Sequence, residues 1–305
     1  MHIVGVGNPV YDYIKTPQVD TKTRILSGCS TNACLAARKL DAQTTLVGCL
    51  GSDFASPFNT ALKTYGIDGY TYPSPETGGF SLIYYDTLGN RTLDVLGQAS
   101  SLPDIPVDIV SGADFVIIGP ILGEVSLTLS EKIRSVADGQ ILLDPQGLLR
   151  RVNADGRIEH YRNPDVDAII PLCDVVKANE VEADIITGIH PRASEDALRQ
   201  ATERLYGLGC KIAIVTLAAE GSAAYDGQTY IRVPAYATDA VDPTGAGDTY
   251  AAGFMVGYLR YGTVKEACYY GSCVASVMVE HVGPDFSLTP EEADRRWQKL
   301  IQNGR

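Results

Sequence analysis

Short apolar runs alternate along the chain with stretches of helical periodicity, and this alternation constrains the fold more than any other feature. Four such runs are compact and end in polar or turn residues, at 115–119, 141–144, 175–178 and 212–217. Runs of this kind are typical of strands buried on both faces of a parallel sheet. Helical patterns at 127–136 and 194–206 lie between them. The β-α-β-α order predicts an α/β fold with a largely parallel sheet.

Composition narrows the classes of function. The 305 residues are 45% hydrophobic and 20% charged, which is ordinary for a globular protein. Lys and Arg number 25 against 37 Asp and Glu, so the net charge is −12. Nucleic acids and anionic membranes require a basic surface, so we expect neither as a partner. A local pocket of backbone N–H groups can still hold the phosphates of a nucleotide.

The sequence shows no sign of export. The N-terminus has no basic stretch followed by an apolar run, and no uncharged apolar run approaches the roughly 20 residues of a membrane helix. The seven cysteines are scattered and form no C-x-x-C pair. We therefore expect a cytoplasmic protein with reduced, buried thiols.

Two segments break the α/β alternation. Residues 80–96 contain two strand-like runs around the polar centre 86–90, which predicts an antiparallel hairpin. Residues 12–26 are β-like and polar at alternate positions. The two segments can pair into a small sheet over one edge of the core, or they can be two separate surface excursions.

The most informative stretch is DPTGAGD at 242–248, which precedes an apolar helix predicted at 249–259. Gly245, Ala246 and Gly247 are small, so their backbone N–H groups can approach a ligand closely. The helix adds unpaired N–H groups and the positive end of its dipole. This arrangement predicts an anion hole for a phosphoryl group in transfer.

Asp248 stands at the mouth of the predicted anion hole. A carboxylate beside bound phosphate is unfavourable unless it has a task, and the obvious task is general base toward an incoming hydroxyl. The alternative is an acid that only caps the helix. No P-loop sequence occurs. Gly5 and Gly7 imitate the start of a dinucleotide fingerprint, but Val10 replaces its third glycine, which disfavours an NAD-dependent enzyme.

A second polar cluster follows the apolar run at 174–176, with Asn179 and Glu182 three residues apart. If a helix begins near Asn179, the two side chains share a face in its first turn. An amide and a carboxylate placed there can hold hydrated Mg²⁺, which prefers oxygen ligands. The same spacing suits a capping box, with Asn179 as N-cap and Glu182 at N3, so both interpretations stay open.

Six motifs, in this order along the chain, resemble the ribokinase family of sugar and nucleoside kinases, the PfkB-type carbohydrate kinases. They are GNPVYD at 7–12, SGCSTNA at 27–33, VGCLGSDF at 47–54, NEVE at 179–182, TLAAEG at 216–221 and DPTGAGD at 242–248. The last is similar to the family signature D-T-x-G-A-G-D, with Pro243 in place of Thr. Ser27, Ala55 and Ala218 stand where the family has glycine.

The resemblance implies a three-layer α/β/α ribokinase-like fold with a mostly parallel central sheet and a small inserted β lid. It implies one catalytic domain over 1–305, with the lid drawn from about 12–26 and 78–98. The two β-like segments that break the alternation lie in these ranges.

The resemblance also implies Mg·ATP-dependent transfer of the γ-phosphoryl group to a hydroxyl of a small sugar, polyol or nucleoside. It gives Asp248 the role of base and the three small residues before it the role of anion hole. Asn179 and Glu182 would hold Mg²⁺ and phosphate through water. The residues that would meet the nucleotide are Asn179, Thr216, Gly221, Gly247, Val279 and His281.

The same family pattern assigns an acceptor side. The residues that would face the acceptor are Asn8, Asp12, Gly28, Asn32 and Asp248. A monovalent cation such as K⁺, near Asp242 and the 275–283 loop, is implied by the family alone.

The acceptor itself stays open. The sequence GNP at 7–9 is similar to adenosine-kinase-like members, and an aromatic pocket using Tyr11, Tyr13 or Tyr84 would favour a nucleoside. An all-polar pocket would favour a sugar or inositol. A non-catalytic nucleotide-binding regulator is disfavoured, because a pure binder gains nothing from Asp248 beside phosphate. Free edges of lid strands invite pairing, so a homodimer is a further expectation.

Overall fold

A nine-stranded sheet forms the centre of the molecule in a computed structural model, which describes residues 1–85 and 91–303. In spatial order the strands are β15 (Tyr230–Val233), β14 (Ser222–Tyr225), β13 (Ile212–Thr216), β12 (Val175–Asn179), β9 (Gln140–Leu143), β8 (Phe115–Ile118), β1 (His2–Val6), β4 (Gln43–Gly51) and β5 (Asp68–Ser74). Neighbouring strands from β13 to β5 pair in parallel, and β14 pairs antiparallel with β13 and β15. This confirms the predicted α/β fold with a mostly parallel sheet.

Helices cover both faces of this sheet. In the described residues they are α1 (Cys29–Lys39), α2 (Ala55–Tyr65), α3 (Val107–Ser111), α4 (Leu127–Val136), α5 (Val166–Ile169), α6 (Glu180–Thr187), α7 (Glu195–Tyr206), α8 (Ala246–Tyr261), α9 (Val264–Met278) and α10 (Pro290–Asn303). Phe115 and Ile117 of β8 belong to the core formed with α1, α8 and α9. Val116 and Ile118 belong to the core on the other face, with α4, α6 and α7. The strand is buried on both sides, as its unbroken apolar run predicts.

A second sheet has four strands. Their spatial order is β3 (Ile25–Ser27), β2 (Val10–Lys15), β6 (Gly79–Tyr84) and β7 (Arg91–Gly97). The predicted hairpin forms from β6 and β7, while its polar centre, 86–90, lies outside the described residues. The segment 12–26, predicted to be β-like, supplies two short strands with a turn between them, and β2 pairs in parallel with β6, so the two segments that break the alternation join in one sheet. Pro17 lacks the N–H that a ladder needs, and the Thr16 N–H instead donates to the Val19 carbonyl at 2.8 Å.

Some elements were not predicted from the sequence. The edge strand β5 is largely exposed, so its residues lack the apolar pattern of the inner strands. The hairpin of β10 (Arg150–Val152) and β11 (Ile158–His160) is short and polar. The backbone of Arg157, just before β11, forms an isolated antiparallel β-bridge with Asp94 of β7. All seven cysteines are buried and unpaired, as predicted. Within 1–85 and 91–303, no helix combines the length and apolarity needed to cross a membrane.

Candidate active site

Polar side chains from distant parts of the sequence meet at the carboxyl ends of the central strands. Asp144 follows β9, Lys177 lies in β12, and Asn32 and Asp248 lie in the first turns of α1 and α8. The Asn32 amide Nδ2 donates to Asp248 Oδ2 at 2.9 Å, and Asp248 is only 8% exposed. The carboxyl ends of parallel strands are where α/β proteins build ligand sites. The predicted acceptor-side Asn32 and the predicted base Asp248 are therefore in direct contact.

The glycine-rich turn leads into α8 earlier than predicted. The helix begins at Ala246 rather than at 249, because Gly245 adopts a φ of 80° and serves as its N-cap. The first helical hydrogen bond runs from the Thr249 N–H to the Gly245 carbonyl at 2.9 Å. Ala246, Gly247 and Asp248 thus form the first turn, whose N–H groups have no partner within the helix. The N–H of Ala246 instead donates to the Pro243 carbonyl at 3.2 Å.

Two glycines of this turn leave little room for a side chain, so a neighbouring side chain would have to shift to admit a Cβ. A Cβ on Gly245 would lie 3.0 Å from Asn32 Nδ2, and one on Gly247 would lie 2.8 Å from Lys177 Nζ. The turn is therefore packed closely between α1 and β12. Donors, a helix dipole and an ammonium group converge there, which is an arrangement that stabilises negative charge.

Three of the most central polar side chains were not assigned a role from the sequence. Asp144 and Lys177 form an ion pair in which the side chains are 1% and 4% exposed. Gln146 donates from its backbone N–H to Asp144 Oδ1 at 3.3 Å and from its side-chain amide to Asp248 Oδ1 at 3.4 Å. A charged residue within the apolar run of β12, and an acid directly after β9, were the signals that could have identified the pair.

The electrostatics of the cluster are dominated by buried carboxylates. Burial, and then the neighbouring Asp144, raise the pKa of Asp248, whereas Lys177, Asn32 and the Cys29 thiol lower it. Burial and Asp144 likewise raise the pKa of Glu182 to about 7. Burial alone lowers the pKa of Lys177, but the surrounding carboxylates more than offset this and raise it overall. The site therefore holds a lysine that stays protonated, beside two carboxylates whose raised pKa values favour protonation.

Asn179 and Glu182 form the capping box that the sequence allowed. Asn179 Oδ1 accepts from the N–H groups of Val181 and Glu182 at 2.9 and 3.0 Å. The Glu182 carboxylate accepts from the Asn179 N–H at 2.8 Å and from its Nδ2 at 2.6 Å. The box fixes where β12 ends and α6 begins, and it places a carboxylate that is 3% exposed beside Lys177.

These residues are compatible with hydrated Mg²⁺. Three buried carboxylates, those of Asp144, Glu182 and Asp248, face a single buried ammonium, so a hydrated divalent cation would offset the excess negative charge. Both oxygens of Glu182 already accept hydrogen bonds. Each of these oxygens keeps a second acceptor site, so a water of a hydrated cation can bind Glu182 with the capping box intact.

Asp12 lies in β2 of the four-stranded sheet. Its Oδ1 accepts from the Phe80 N–H of β6 at 2.8 Å, and the side chain is almost completely buried. Burial raises the pKa of Asp12 to about 6, while hydrogen bonds from Ser27 and Phe80 and the charges of Arg24 and Arg150 oppose this rise. The charge of Arg150 also lowers the pKa of Glu182, so this arginine acts electrostatically on both carboxylates.

Asn8 and Gly28 lie next to each other beside α1. A Cβ on Gly28, whose φ is 117°, would lie 3.1 Å from the Asn8 carbonyl oxygen. The Asn8 side chain accepts from the Cys49 N–H at 2.7 Å and donates to the Ser100 carbonyl at 2.9 Å. The Gly28 carbonyl accepts from the Asn32 N–H at 2.7 Å. Asn8 thus joins its own segment to those of Cys49 and Ser100, next to the N-terminus of α1.

The predicted nucleotide residues fall into two groups. Thr216 of β13 pairs in register with Asn179 of β12, and Gly221 follows the turn after that strand. By contrast, the Val279 carbonyl accepts from the N–H groups of Val241 and Asp242 at 2.7 and 3.1 Å. The His281 ring contacts the Val277 carbonyl and the Ser287 hydroxyl. The first group adjoins the capping box, and the second borders the loop that precedes Gly245.

Ala218 explains one departure from the family motif. It stands where the family has glycine, and its φ is 50°, a left-handed conformation that glycine adopts freely. An alanine in this conformation costs more than a glycine would.

Of Tyr11, Tyr13 and Tyr84, the tyrosines predicted as candidates for an aromatic pocket, Tyr84 contacts the glycine-rich turn. Its hydroxyl contacts the Thr244 hydroxyl at 2.8 Å, which joins β6 of the small sheet to the turn. Tyr11 stacks on Phe54 at 4.1 Å between ring centres, and Tyr13 donates to Asp20 at 3.1 Å.

Comparison with known proteins identifies the family of this chain. Residues 9–291 match the pfkB family carbohydrate kinases. The chain is 29% identical to a nucleoside kinase of Methanothermobacter thermautotrophicus, over 94% of this chain and 92% of that protein. It is 28% identical to a cytidine kinase of Thermococcus kodakarensis, over 95% and 99% of the two chains.

A solved structure shows the same fold. A pyrophosphate-dependent kinase in the ribokinase family, complexed with a pyrophosphate analogue and myo-inositol, superimposes with a TM-score of 0.79 at 21% identity. The superposition covers 96% of this chain and 99% of the other. The chain belongs to the pfkB family of carbohydrate kinases, and it is a phosphotransferase that acts on an alcohol group.

Proposed function

We propose that the protein transfers the γ-phosphoryl group of Mg·ATP to a hydroxyl of a small sugar, polyol or nucleoside. The observation that carries this proposal is the buried Asp248 in the first turn of α8, directly beside the N–H groups that precede it. This turn therefore supplies groups for both reacting partners, the attacking hydroxyl and the phosphoryl group. The base removes a proton from the attacking hydroxyl, and the N–H groups stabilise charge on the group in transfer.

The proposed step needs only groups of this chain around the two substrates. The acceptor oxygen bonds to the γ-phosphorus as the bond to the ADP oxygen breaks, and the hydroxyl proton passes to Asp248. Asn32 orients the Asp248 carboxylate through its 2.9 Å hydrogen bond. The N–H groups of Gly245 and Gly247 hold the transferring oxygens, and that of Ala246 joins them once it leaves the Pro243 carbonyl, to which it donates at 3.2 Å. Bound Mg²⁺ would neutralise phosphate charge, and Glu182 and Asn179 would hold it through water.

We assign the four-stranded sheet the role of a lid in a single catalytic domain. Asp12 of β2 faces the acceptor, with Gly28, Asn32 and Asn8 behind it. The Tyr84 to Thr244 contact supports this role because it joins the sheet to the anion hole. A closed lid excludes water from a reactive phosphoryl group.

The nucleotide is assigned to the side of the site away from the lid. Thr216, Gly221 and Gly247 border it, and Val279 and His281, which follow α9, are assigned to the same side. The carboxylate of Asp242, which is completely buried, accepts from the Thr244 N–H at 2.9 Å. A monovalent cation near Asp242 stays a proposal drawn from the family.

A nucleoside is the acceptor class to test first. Relatives that match over more than nine-tenths of this chain include two named nucleoside kinase and one named cytidine kinase, beside one named ribokinase. Tyr84 supplies an aromatic ring beside the turn. Myo-inositol is the second class, because an inositol 3-kinase of Arabidopsis thaliana is 30% identical over 71% of this chain.

The test is a coupled ADP-release assay with Mg·ATP and a panel of nucleosides, pentoses, hexoses, deoxy-sugar acids and inositols. We expect one acceptor, or one narrow class, to give turnover. A parallel set with pyrophosphate in place of ATP, read by phosphate release, should give none. Turnover with pyrophosphate alone would overturn the assignment of ATP as donor. No turnover with either donor would contradict the proposed function.

A further inference from the structure

A cavity of about 390 Å³ lies beside β3, the edge strand of the four-stranded sheet. Its walls come from β3, the β2–β3 turn, α2 and the loop after α9. Most of the side chains that line it are aliphatic or aromatic, and they include Val19, Ile25, Leu26, Ala61, Tyr65 and Pro284. Pro57 and Asp285 also line it and are exposed, so the cavity opens to solvent. Its volume is within the range of small-molecule sites.

The acceptor side of the active site borders this cavity at Ile25. In the β2–β3 pair, Ile25 lies directly opposite Asp12, so the two side chains share one face of the sheet. Ile25 and Leu26 line the cavity and also line, with Asn32, a second space of about 10 Å³. That space has room for no more than about one water molecule. A line of contacts from Asp248, through Asn32 and Ile25, therefore leads to the cavity.

The Ile25 side chain stands between the acceptor residues and the cavity. A Cβ added to Gly283, in the loop after α9, would lie 2.8 Å from Ile25 Cδ1. The narrow space between the two regions is thus closed by one half-buried aliphatic side chain against a glycine. A change of the Ile25 rotamer, or a movement of β3 with the lid, joins the two spaces.

Tyr11 brings a phenol to the wall of the cavity. The residue is 5% exposed, and no residue within 1–85 and 91–303 forms a hydrogen bond with its buried hydroxyl. Its ring is held by stacking on Phe54, at 4.1 Å between ring centres. A buried hydroxyl without a partner costs free energy. A ligand that presents an acceptor atom to this hydroxyl removes that cost.

Tyr65 presents a second aromatic ring, fixed in place, to the same cavity. Its hydroxyl donates to Asp285 Oδ1 at 2.6 Å, and Lys39 Nζ lies 5.7 Å from the centre of the ring. An apolar wall with fixed rings suits a planar heterocycle, whose faces pack on the rings and whose edge carries hydrogen-bond acceptors. It does not suit a sugar or inositol, whose hydroxyls would be buried with too few partners.

Resting on the proposed kinase function, we propose that the acceptor is a nucleoside and that this cavity holds its base. The ribose lies at Asp12 and Asn32 with the reacting hydroxyl at Asp248, and the base extends past Ile25. The Tyr11 hydroxyl donates to a carbonyl oxygen or ring nitrogen of the base. The volume admits a purine as well as a pyrimidine, so the cavity favours the presence of a base over its absence.

The experiment compares nucleosides with ribose, which is the reacting sugar without a base. Cytidine, uridine, adenosine and ribose are tested for kcat/KM with Mg·ATP, and their binding is measured by calorimetry. We expect the wild type to prefer at least one nucleoside to ribose by roughly 10-fold or more, because the base adds buried contacts. Ala61→Leu, which fills part of the cavity, should lower kcat/KM for that nucleoside by roughly 10–100-fold.

Tyr11→Phe should lower kcat/KM for the nucleoside by roughly 2–10-fold, through loss of one hydrogen bond to the base. Its thermal stability should not fall, because the hydroxyl that it removes has no partner among the described residues of the unliganded protein. In both variants kcat/KM for ribose and KM for ATP should stay at the wild-type values. Tyr11→Phe also keeps the test available if Ala61→Leu does not fold.

Each variant has a matched control. Thr60→Leu enlarges an exposed side chain of α2, next to Ala61 but outside the cavity wall. Tyr230→Phe removes a tyrosine hydroxyl on β15, at the far edge of the large sheet, where it donates to Glu195 Oε1 at 2.9 Å. Both controls should bind and phosphorylate the nucleoside as the wild type does.

Nucleoside turnover that both cavity variants leave unchanged would overturn this inference while the kinase function stands. Turnover of ribose or myo-inositol by an enzyme that neither uses nor binds a nucleoside would do the same. If the wild type phosphorylates no acceptor, the proposed function fails, and calorimetry decides about the cavity separately. Nucleoside binding that Ala61→Leu weakens would then support the cavity as a base site, and absence of binding would overturn it.

Discussion

At the scale of single residues, Asp12, which we propose faces the acceptor, also makes the stability of the fold depend on pH. It joins β2 to β6 through the Phe80 N–H, and burial raises its pKa to about 6. An acid with a raised pKa in the folded state binds a proton that the unfolded chain has already released. Between the unfolded value of 3.8 and about 6, the folded state therefore holds more protons, and stability falls as pH rises.

The first prediction follows for Asp12→Asn, which cannot ionise. The free energy of unfolding of the wild type, relative to this variant, should rise by about 1–3 kcal/mol as the pH is lowered from 7 to 4. Urea unfolding followed by circular dichroism at several pH values measures this difference. A constant difference across the range would show that Asp12 has an ordinary pKa in the folded protein.

The residue scale is also where prediction from sequence had its clearest gap. The pattern DPTGAGD identified Asp248 and its neighbours because the chemistry lies in one contiguous stretch. Asp144 and Lys177 lie 33 positions apart and have no shared motif. Only the pairing of β9 with β12 brings them together. A lysine within an apolar strand signals a buried partner, but the sequence does not state which acid that partner is.

At the scale of elements, the N-cap of α8 combines a conformational and a steric requirement. Gly245 has a φ of 80° and would place a Cβ 3.0 Å from the Asn32 amide. Gly262, the C-cap of the same helix, has a φ of 73°, and a Cβ added there would meet no other atom within 4 Å. Both glycines thus have a positive φ, but only Gly245 lies close to another side chain.

We therefore predict that Gly262→Ala costs about 1–2 kcal/mol of stability and leaves turnover unchanged. Gly245→Ala should cost at least as much and also lower kcat by roughly 10–100-fold, because it displaces Asn32 from the base. Thermal unfolding and steady-state kinetics on both variants provide the check. Equal kcat values in the two would contradict the close packing of the turn against α1.

The capping box of α6 allows structural and metal-related roles to be separated. Ser194 is the N-cap of α7 and accepts from the Ala197 N–H at 3.0 Å, far from the polar cluster in sequence. Asn179→Ala and Ser194→Ala should each lower stability by about 0.5–2 kcal/mol, since each removes a cap. Only Asn179→Ala should raise the Mg²⁺ concentration needed for half-maximal activity. If both variants, or neither, change the Mg²⁺ requirement, Asn179 has no role in holding the metal.

Strands and helices were predictable from the sequence where a single pattern, an unbroken apolar run or a helical periodicity, was strong. The inner strands are apolar on both faces, and α4 begins and ends at the predicted residues, Leu127 and Val136. The start of α8 was placed too late because small residues in a first turn, Ala246 and Gly247, look like loop. The β10–β11 hairpin was missed because its three-residue strands carry no alternating pattern.

At the scale of the whole molecule, the order of the strands turns scattered motifs into one site. The strands β13, β12, β9, β8 and β1 are consecutive neighbours in the sheet, and the polar cluster lies where β9 and β12 end, against the first turns of α1 and α8. Although the chain has a net charge of −12, N–H groups and the Lys177 ammonium are concentrated where we propose that phosphate binds. The sequence predicted the sheet type and the family, but the acceptor depends on side chains that line the space between the two sheets.

The most direct test of the central claim is transfer of radiolabelled phosphate from γ-labelled ATP to the acceptor by the wild type and by Asp248→Asn, measured side by side with binding of ADP. Asp196→Asn is the control, because Asp196 is also a first-turn acid, in α7, but is exposed. The account predicts that Asp248→Asn lowers kcat by roughly 10²–10⁴-fold with ADP affinity largely kept, while Asp196→Asn behaves as wild type. Undiminished transfer by Asp248→Asn would contradict the account.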